Sequence, residues 1–140
     1  MEIRITQGIE AATEAVLIRK AVFMEEQGFE NEFDSVDTYA FHAVLFTDEN
    51  IPAACGRLYS NDGKCFIIGR IAVLKPFRGK GLGERIVKAL ENKARELGGH
   101  ETELSAQVRA MGFYEKLGYF PFGEEYLDEY CPHISMRKKL

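Results

Sequence analysis

Three absences bound what this chain does. No apolar run approaches the roughly 18 residues that a membrane-spanning helix needs, so no membrane partner is expected. Positive charge is not in excess. Eighteen Lys and Arg stand against 22 Asp and Glu, a net charge of -4, whereas a general nucleic-acid surface is usually strongly basic. Paired cysteines are missing too. Cys55, Cys65 and Cys131 are odd in number, far apart and without CxxC spacing, which is the pattern of reduced structural thiols. His42, His100 and His133 are equally scattered, and no metal site is expected. The first residues, Met1-Glu2-Ile3-Arg4, lack the apolar core of a signal peptide, and the expected location is the cytoplasm. Repeats, low-complexity tracts and linkers are also absent, so one domain over residues 1–140 is expected.

What is present is ordinary for a globular domain, with 46% hydrophobic and 29% charged residues in a chain long enough to bury a core. Alternation predicts strands over Glu2–Thr6, Tyr39–Phe46, Ile51–Tyr59 and Cys65–Val73. Ala40, His42 and Val44 should face one way, and Phe41, Ala43 and Leu45 the other. Ser60-Asn61-Asp62-Gly63 is a hairpin signal, because Asp-Gly accepts positive φ. The last three of these strands should form an antiparallel meander. Helical spacing covers Ile9–Gln27, with Gly28 as its C-terminal cap, and Gly83–Leu97, ended by Gly98-Gly99. Ala106–Leu117 is a third helix, and Glu101–Ser105, Tyr119–Phe122 and Ile134–Arg137 are three further short strands. The Glu101–Ser105 strand follows a helical crossover, so it should lie parallel to Cys65–Val73. The expected order is β-α-β-β-β-α-β-α-β-β. That order describes an α/β chain with a mixed, mostly antiparallel sheet, a central parallel pair and flanking helices.

The stretch from Ile67 to Gly83 organises the rest. A β-branched strand runs into a loop with glycines at 79, 81 and 83 and basic residues at 75, 78 and 80, and a helix follows. A P-loop fails, because Gly79-Lys80 is followed by Gly81. A dinucleotide fingerprint fails, because Glu84 stands where its last glycine belongs. R-x-x-G-x-G is met by Arg78, Gly81 and Gly83. Residues without side chains let consecutive N–H groups converge on an anion, and the helix start adds its positive dipole end. Arg78 and Lys80 supply formal charge for a diphosphate. The alternative is a tight β-to-α turn that needs its glycines only for positive φ.

Val73-x-x-Pro76-x-Arg78-Gly79-Lys80-Gly81-Leu82-Gly83 resembles the acetyl-CoA signature of the GNAT superfamily of acyltransferases. Gln107-x-x-Ala110-x-x-Phe113-Tyr114-Glu115-Lys116-Leu117-Gly118-Tyr119 is similar to that superfamily's later helix motif, with Gln107 where asparagine is common. Val22-Phe23-x-x-Glu26-Gln27, Asp34-x-x-Asp37, His42, Gly69-Arg70, Ala106-Gln107 and Pro132-His133-Ile134-x-Met136 resemble its YjcF/ElaA-like branch. The resemblance implies a GNAT-like acyl-CoA N-acyltransferase fold, with the parallel pair splayed to form a slot. It implies acetyl-CoA as co-substrate, with Ile71, Ala72 and Val73 offering backbone groups to the pantetheine arm. An N–H near Val73 or Leu74 would polarise the thioester. Arg78, Gly79, Lys80, Gly81, Leu82 and Gly83 would take the pyrophosphate, and Gln107 would help hold the cofactor.

The reaction implied is transfer of an acetyl group to a primary amine by direct attack in a ternary complex. Tyr114 is the expected general acid, since a phenol of pKa about 10 can protonate a thiolate whose conjugate acid lies near about 8.5. Its alternative is packing against Phe113. Candidate bases are Glu26, taken first, then Asp34, Asp37, His42 and His133, or a water relay. The acceptor is a small molecule or peptide amine. Acidic stretches at Glu25–Asp37 and at Glu124-Glu125 with Asp128-Glu129 would draw a cationic one. Phe120, Phe122, Tyr126 and Tyr130 either line the acceptor pocket or form a homodimer face. Two other classes remain, a non-catalytic acyl-CoA-binding module and a protein that binds another nucleotide diphosphate.

Overall fold

In the computed structural model, which describes residues 1–140, the strand-forming runs join one sheet. They are β1 (Glu2–Gln7), β2 (Phe41–Phe46), β3 (Pro52–Ser60), β4 (Cys65–Val73), β5 (Glu101–Gln107), β6 (Phe120–Asp128) and β7 (Cys131–Lys139). The sheet order is β1-β2-β3-β4-β5-β7-β6, and β4–β5 is its parallel pair. The mixed, mostly antiparallel α/β architecture expected from the sequence is present. So is the hairpin turn before β4, where the Asp62 carboxylate accepts the N–H groups of Lys64 and Cys65 at 2.9 Å.

Both sheet faces are covered, so β2 reads as a nearly continuous apolar strand. Ala43 and Leu45 pack on one side with Ile86, Val87, Leu90 and Ala94 of helix α2 (Leu82–Glu96). Val44 and Phe46 pack on the other, with Ala15 and Ile18 of helix α1 (Thr13–Arg19). The period of two in the strand and the stripe on α2 thus meet in one core. At Gly56 the approach is close. An added Cβ would lie 2.6 Å from the Ile86 side chain and 2.7 Å from that of Ile71.

Gly56 also sits opposite a bulge. Arg57 pairs with Gly69 and Cys55 with Ala72, so β4 carries one extra residue, and Arg70 takes φ 54 there. The β4–β5 pairing stops just before it, at Ile68 with Leu104. Both strands continue without pairing to each other, and a cleft opens between them. The bulge is the local cause of that divergence.

Several boundaries differ from expectation for identifiable reasons. The segment read as one helix over Ile9–Gln27 is a 3-10 turn (Ile9–Ala11), α1 and a π-helical segment (Lys20–Glu26). The Gln27 N–H reaches the Val22 carbonyl five residues back at 3.1 Å. Consecutive apolar residues at 22–24 fit either winding, which hides the change. The helix over Ala106–Leu117 shortens to a 3-10 turn and α3 (Met111–Lys116), because β5 runs on to Gln107. The last two strands are each nine residues long. Gly123-Glu124-Glu125 breaks their alternation at a register shift between Phe122 and Tyr126. Pro132 is the second residue of β7, one residue before the pairing with β5 begins at His133.

Candidate active site

The cleft between the splayed strands is a cavity of about 650 Å³. Gly69, Arg70 and Ile71 of β4 line one wall, and Leu104, Ser105 and Gln107 of β5 the other. The end of the π-helical segment, Tyr114 of α3 and His133 of β7 complete it. Val73 and Ala72 pair only toward β3, with Ala54 and Cys55, so the opposite edge of this part of β4 is left without a strand partner.

At the end of β4 the chain makes a 3-10 turn over Lys75–Phe77 and enters the glycine loop. Gly79 and Gly81 take φ 79 and φ 76, with nothing within 4 Å of where a Cβ would stand. Their glycine requirement is therefore conformational. Gly83 differs. A Cβ there would lie 3.3 Å from the Phe113 ring, so its smallness lets α3 pack against the start of α2. The N–H groups of Gly79, Lys80, Gly81, Leu82, Gly83 and Glu84 donate to no backbone carbonyl. Such a run at the positive end of a 15-residue helix, beside Arg78 and Lys80, has the donor set that an anion requires.

Two expected site residues meet each other. The Arg78 guanidinium donates to both Glu26 oxygens, Nη1 at 2.6 Å and Nη2 at 2.7 Å, while its Nε donates to the Val73 carbonyl at 3.0 Å. This bond to Arg78 holds the Glu26 carboxyl below the usual range. Glu26 was expected to accept a proton. Here it is a counter-ion to Arg78, with each oxygen taking one guanidinium N–H. A second bridge lies alongside, where Gln107 Nε2 donates to the Gln27 side chain at 2.8 Å and Arg109 Nε donates to Gln107 at 2.7 Å. Successive residues of the π-helical end thus touch the extensions of both splayed strands.

Tyr114 is half-buried, with its ring edge-on to Phe113 at 4.9 Å and to Tyr119 at 6.0 Å. Its hydroxyl has no protein partner, and burial pushes its pKa up to about 12. Desolvation acts on any acid in a dry site. The buried Cys55 thiol is likewise pushed up to about 12. Tyr119 is spent elsewhere, donating to Glu91 at 2.8 Å and sharing a 2.7 Å bond with Thr102.

The acidic stretch folds inward. Arg19 is 1% exposed and binds Glu32 at 2.8 Å and Asp37 at 2.7 Å. Arg57 binds Asp34 at 2.8 Å and Asp37 at 3.0 Å, and Arg70 binds Glu32 at 2.9 Å. Burial raises the Glu32 carboxyl. Burial also opposes ionisation of Asp37, but the bonds from Arg19 and Arg57 outweigh it and hold that group down to about 2. Asp34 and Asp37, expected as possible bases, are therefore committed to cations. His42 is buried behind them, donating from Nε2 to the Asp37 carbonyl at 3.0 Å. The expected cation-attracting field loses Glu32, Asp34 and Asp37 in this way. In the second acidic stretch Glu129 accepts the N–H groups of Glu30 and Asn31, and Asp128 lines the cavity without a basic partner.

The late aromatics divide. Tyr130 lines the cavity, stacks near Phe29 at 5.4 Å and donates to the Gln27 carbonyl. Phe120 is exposed on the edge strand β6, and Phe122 lies under Arg137 at 4.2 Å. Arg57, Arg70 and Arg109 also line the cavity; Arg70 was noted only within the Gly69-Arg70 pair, and none of the three was given a role from the sequence. A basic residue on a strand among hydrophobic neighbours is the signal that could have found the first two. At the other end of the parallel pair, Cys65 lies within 4.8 Å of the Glu101 and Glu103 carboxylates. Burial and those carboxylates push its thiol up to about 11.

Residues 9–140 match the family model of the acetyltransferase (GNAT) domain. Over 141 aligned residues the chain is 37% identical to YjcF, an uncharacterized N-acetyltransferase of Bacillus subtilis, covering 99% of each. Among solved structures, an acyl-CoA N-acyltransferase from Pseudomonas aeruginosa superposes with a TM-score of 0.83 at 26% identity, over 98% of both chains. Escherichia coli ElaA has the same fold, with a TM-score of 0.84 at 23% identity and 98% coverage of each chain.

Proposed function

The chain belongs to the acetyltransferase (GNAT) family and is an acyltransferase, and from that premise we propose that it moves an acetyl group from acetyl-CoA to a primary amine, both bound together. The observation that carries this reading is the run of unpartnered N–H groups from Gly79 to Glu84, next in the chain to Arg78, which itself lines the cleft between β4 and β5. A diphosphate satisfies those donors, and the free edge of Ile71, Ala72 and Val73 can pair with an amide-bearing arm. The acyl-CoA in the name of the Pseudomonas relative is consistent with that donor.

A thioester is already activated, so the protein's work is positioning, charge stabilisation and proton transfer. The amine attacks the carbonyl carbon, the C–S bond breaks, and the thiolate takes its proton from Tyr114. The phenol is suited to this by its free hydroxyl and by a burial that keeps it protonated at rest. In this reading Glu26 and the Val73 carbonyl hold Arg78 at the edge of the cleft, and Gln107 fixes the far side. Asp128 favours an acceptor carrying a second positive charge.

Thiol release from acetyl-CoA, measured against polyamines, an aminoglycoside, a lysine peptide, arylamines and neutral amino acid amides, tests the reading. We expect Tyr114→Phe to lower kcat by about 10²–10⁴-fold with unchanged acetyl-CoA affinity. Turnover equal to the parent's across pH would remove Tyr114 from the acid role. Activity confined to neutral or anionic amines would remove the preference for a cationic acceptor.

A further inference from the structure

His133 is the one imidazole of the cavity, and its surroundings set its chemistry. It sits near the start of β7, opposite Gln107 of β5 and Tyr126 of β6. It is 6% exposed and lines the cavity that Tyr114 also lines. Its Nδ1 lies 2.9 Å from the carbonyl of Cys131. A carbonyl only accepts, so Nδ1 carries the proton, and in the neutral ring Nε2 is then a bare lone pair. No protein group bonds to Nε2, and it is not sealed off from the cavity. The ring is held flat against Tyr126 at 6.1 Å and edge-on to Phe29 at 6.4 Å. The ring is thus held by its neighbours, its tautomer is set by the Cys131 carbonyl, and its basic nitrogen is left without a protein partner in a residue that lines the cavity.

The other residues expected as bases from the sequence lack that combination. Glu26 is bound through both oxygens by Arg78. Asp37 is held by two arginines, and His42 donates its Nε2 proton to a backbone carbonyl. Glu129, beside His133 at the β6–β7 turn, is occupied by two backbone N–H groups.

We propose that His133 Nε2 is the general base that takes the proton of the attacking amine. This rests on the transferase reading above. The amine lone pair forms the C–N bond to the acetyl carbon, and its N–H proton passes to Nε2. The C–S electrons leave on sulfur, which is protonated by Tyr114. The imidazolium and the tyrosinate then exchange protons with solvent, so one amine and one thioester give one amide and one thiol.

Two measurements on the full chain decide it. In ¹⁵N-labelled protein, the His133 ring should show the Nδ1–H tautomer with an unprotonated Nε2, and an Nε2–H tautomer overturns the proposal whether or not an acceptor is in hand. With the amine identified by the panel, His133→Gln should lower kcat by about 10²-fold or more, with KM for acetyl-CoA unchanged. His133→Ala should be partly rescued by free imidazole. The loss should be larger for an alkylamine, protonated at neutral pH, than for an arylamine that is not. A His133→Gln variant that turns over as fast as the parent on both amines overturns the base assignment and leaves the transferase reading standing. A parent that binds acetyl-CoA and releases no thiol with any amine overturns both.

Discussion

Two loops border the same region and carry opposite charge, yet they do opposite things. The basic glycine loop, residues 78–83, ends with its backbone donors facing nothing in the chain. The acidic loop, residues 28–37, ends with Glu32, Asp34 and Asp37 each held by arginine, two of them almost fully buried. By composition both looked like binding surfaces. What separates them is satisfaction. A group that has already found its partner in the fold has little left for a ligand, whereas an unpaired donor at a helix start retains its whole interaction. The acidic loop is neutralised within the fold, with Glu32 itself in the cavity wall, and the glycine loop keeps its backbone donors free.

The strongest way to break this comparison is Arg19→Leu. It leaves Glu32 and Asp37 buried without their main cation, at an expected cost of about 3–5 kcal/mol, read by urea denaturation. A loss below about 1 kcal/mol would mean that the acidic loop does not depend on neutralisation.

Acid titration sharpens the same side. The Asp37 carboxyl is held down to about 2 in the folded chain, and an unfolded aspartate titrates near about 4. Its contribution, roughly 2 kcal/mol, is fully present above about pH 4 and is lost as pH falls toward about 2. Stability of the parent should drop across that window, and Asp37→Asn, less stable at neutral pH, should show a flatter profile there. Parallel profiles would contradict the assignment.

The smallest effect expected is on the glycine loop. Gly81→Ala meets no neighbouring atom but must adopt positive φ, at about 1 kcal/mol. Relaxation of that strain turns N–H groups away from their common point, so acetyl-CoA binding by calorimetry should weaken several-fold. An unchanged affinity would detach the loop's geometry from cofactor binding.

Legibility in the sequence followed locality. The β4 boundaries, Cys65–Val73, come out as expected from alternation and turn residues, and the α2 stripe from spacing. The π-helical end of the first helix was not legible, because one inserted residue leaves an apolar run apolar. The long β6–β7 hairpin was hidden by Gly123-Glu124-Glu125 and Pro132, which read as breaks. Among the candidate site residues, the glycines stood out by spacing and Tyr114 by its resemblance to the superfamily's later helix motif. Glu26 stood out too, but its bond to Arg78, 52 residues away, could not be read.

The sequence by itself determined the strand–loop–helix unit from Ile67 to Glu96, because period, glycine positions and helix start act over a few residues. It also determined that Tyr114 lies on a helix that follows a strand, although the structure shortened that helix to Met111–Lys116. Only the tertiary structure decided which charges are free. Arg19 meets Glu32 and Asp37 from 13 and 18 positions away, and the β5–β7 register places His133 against Gln107. Protonation and partnering depend on what surrounds a side chain in space, and sequence neighbours do not supply that.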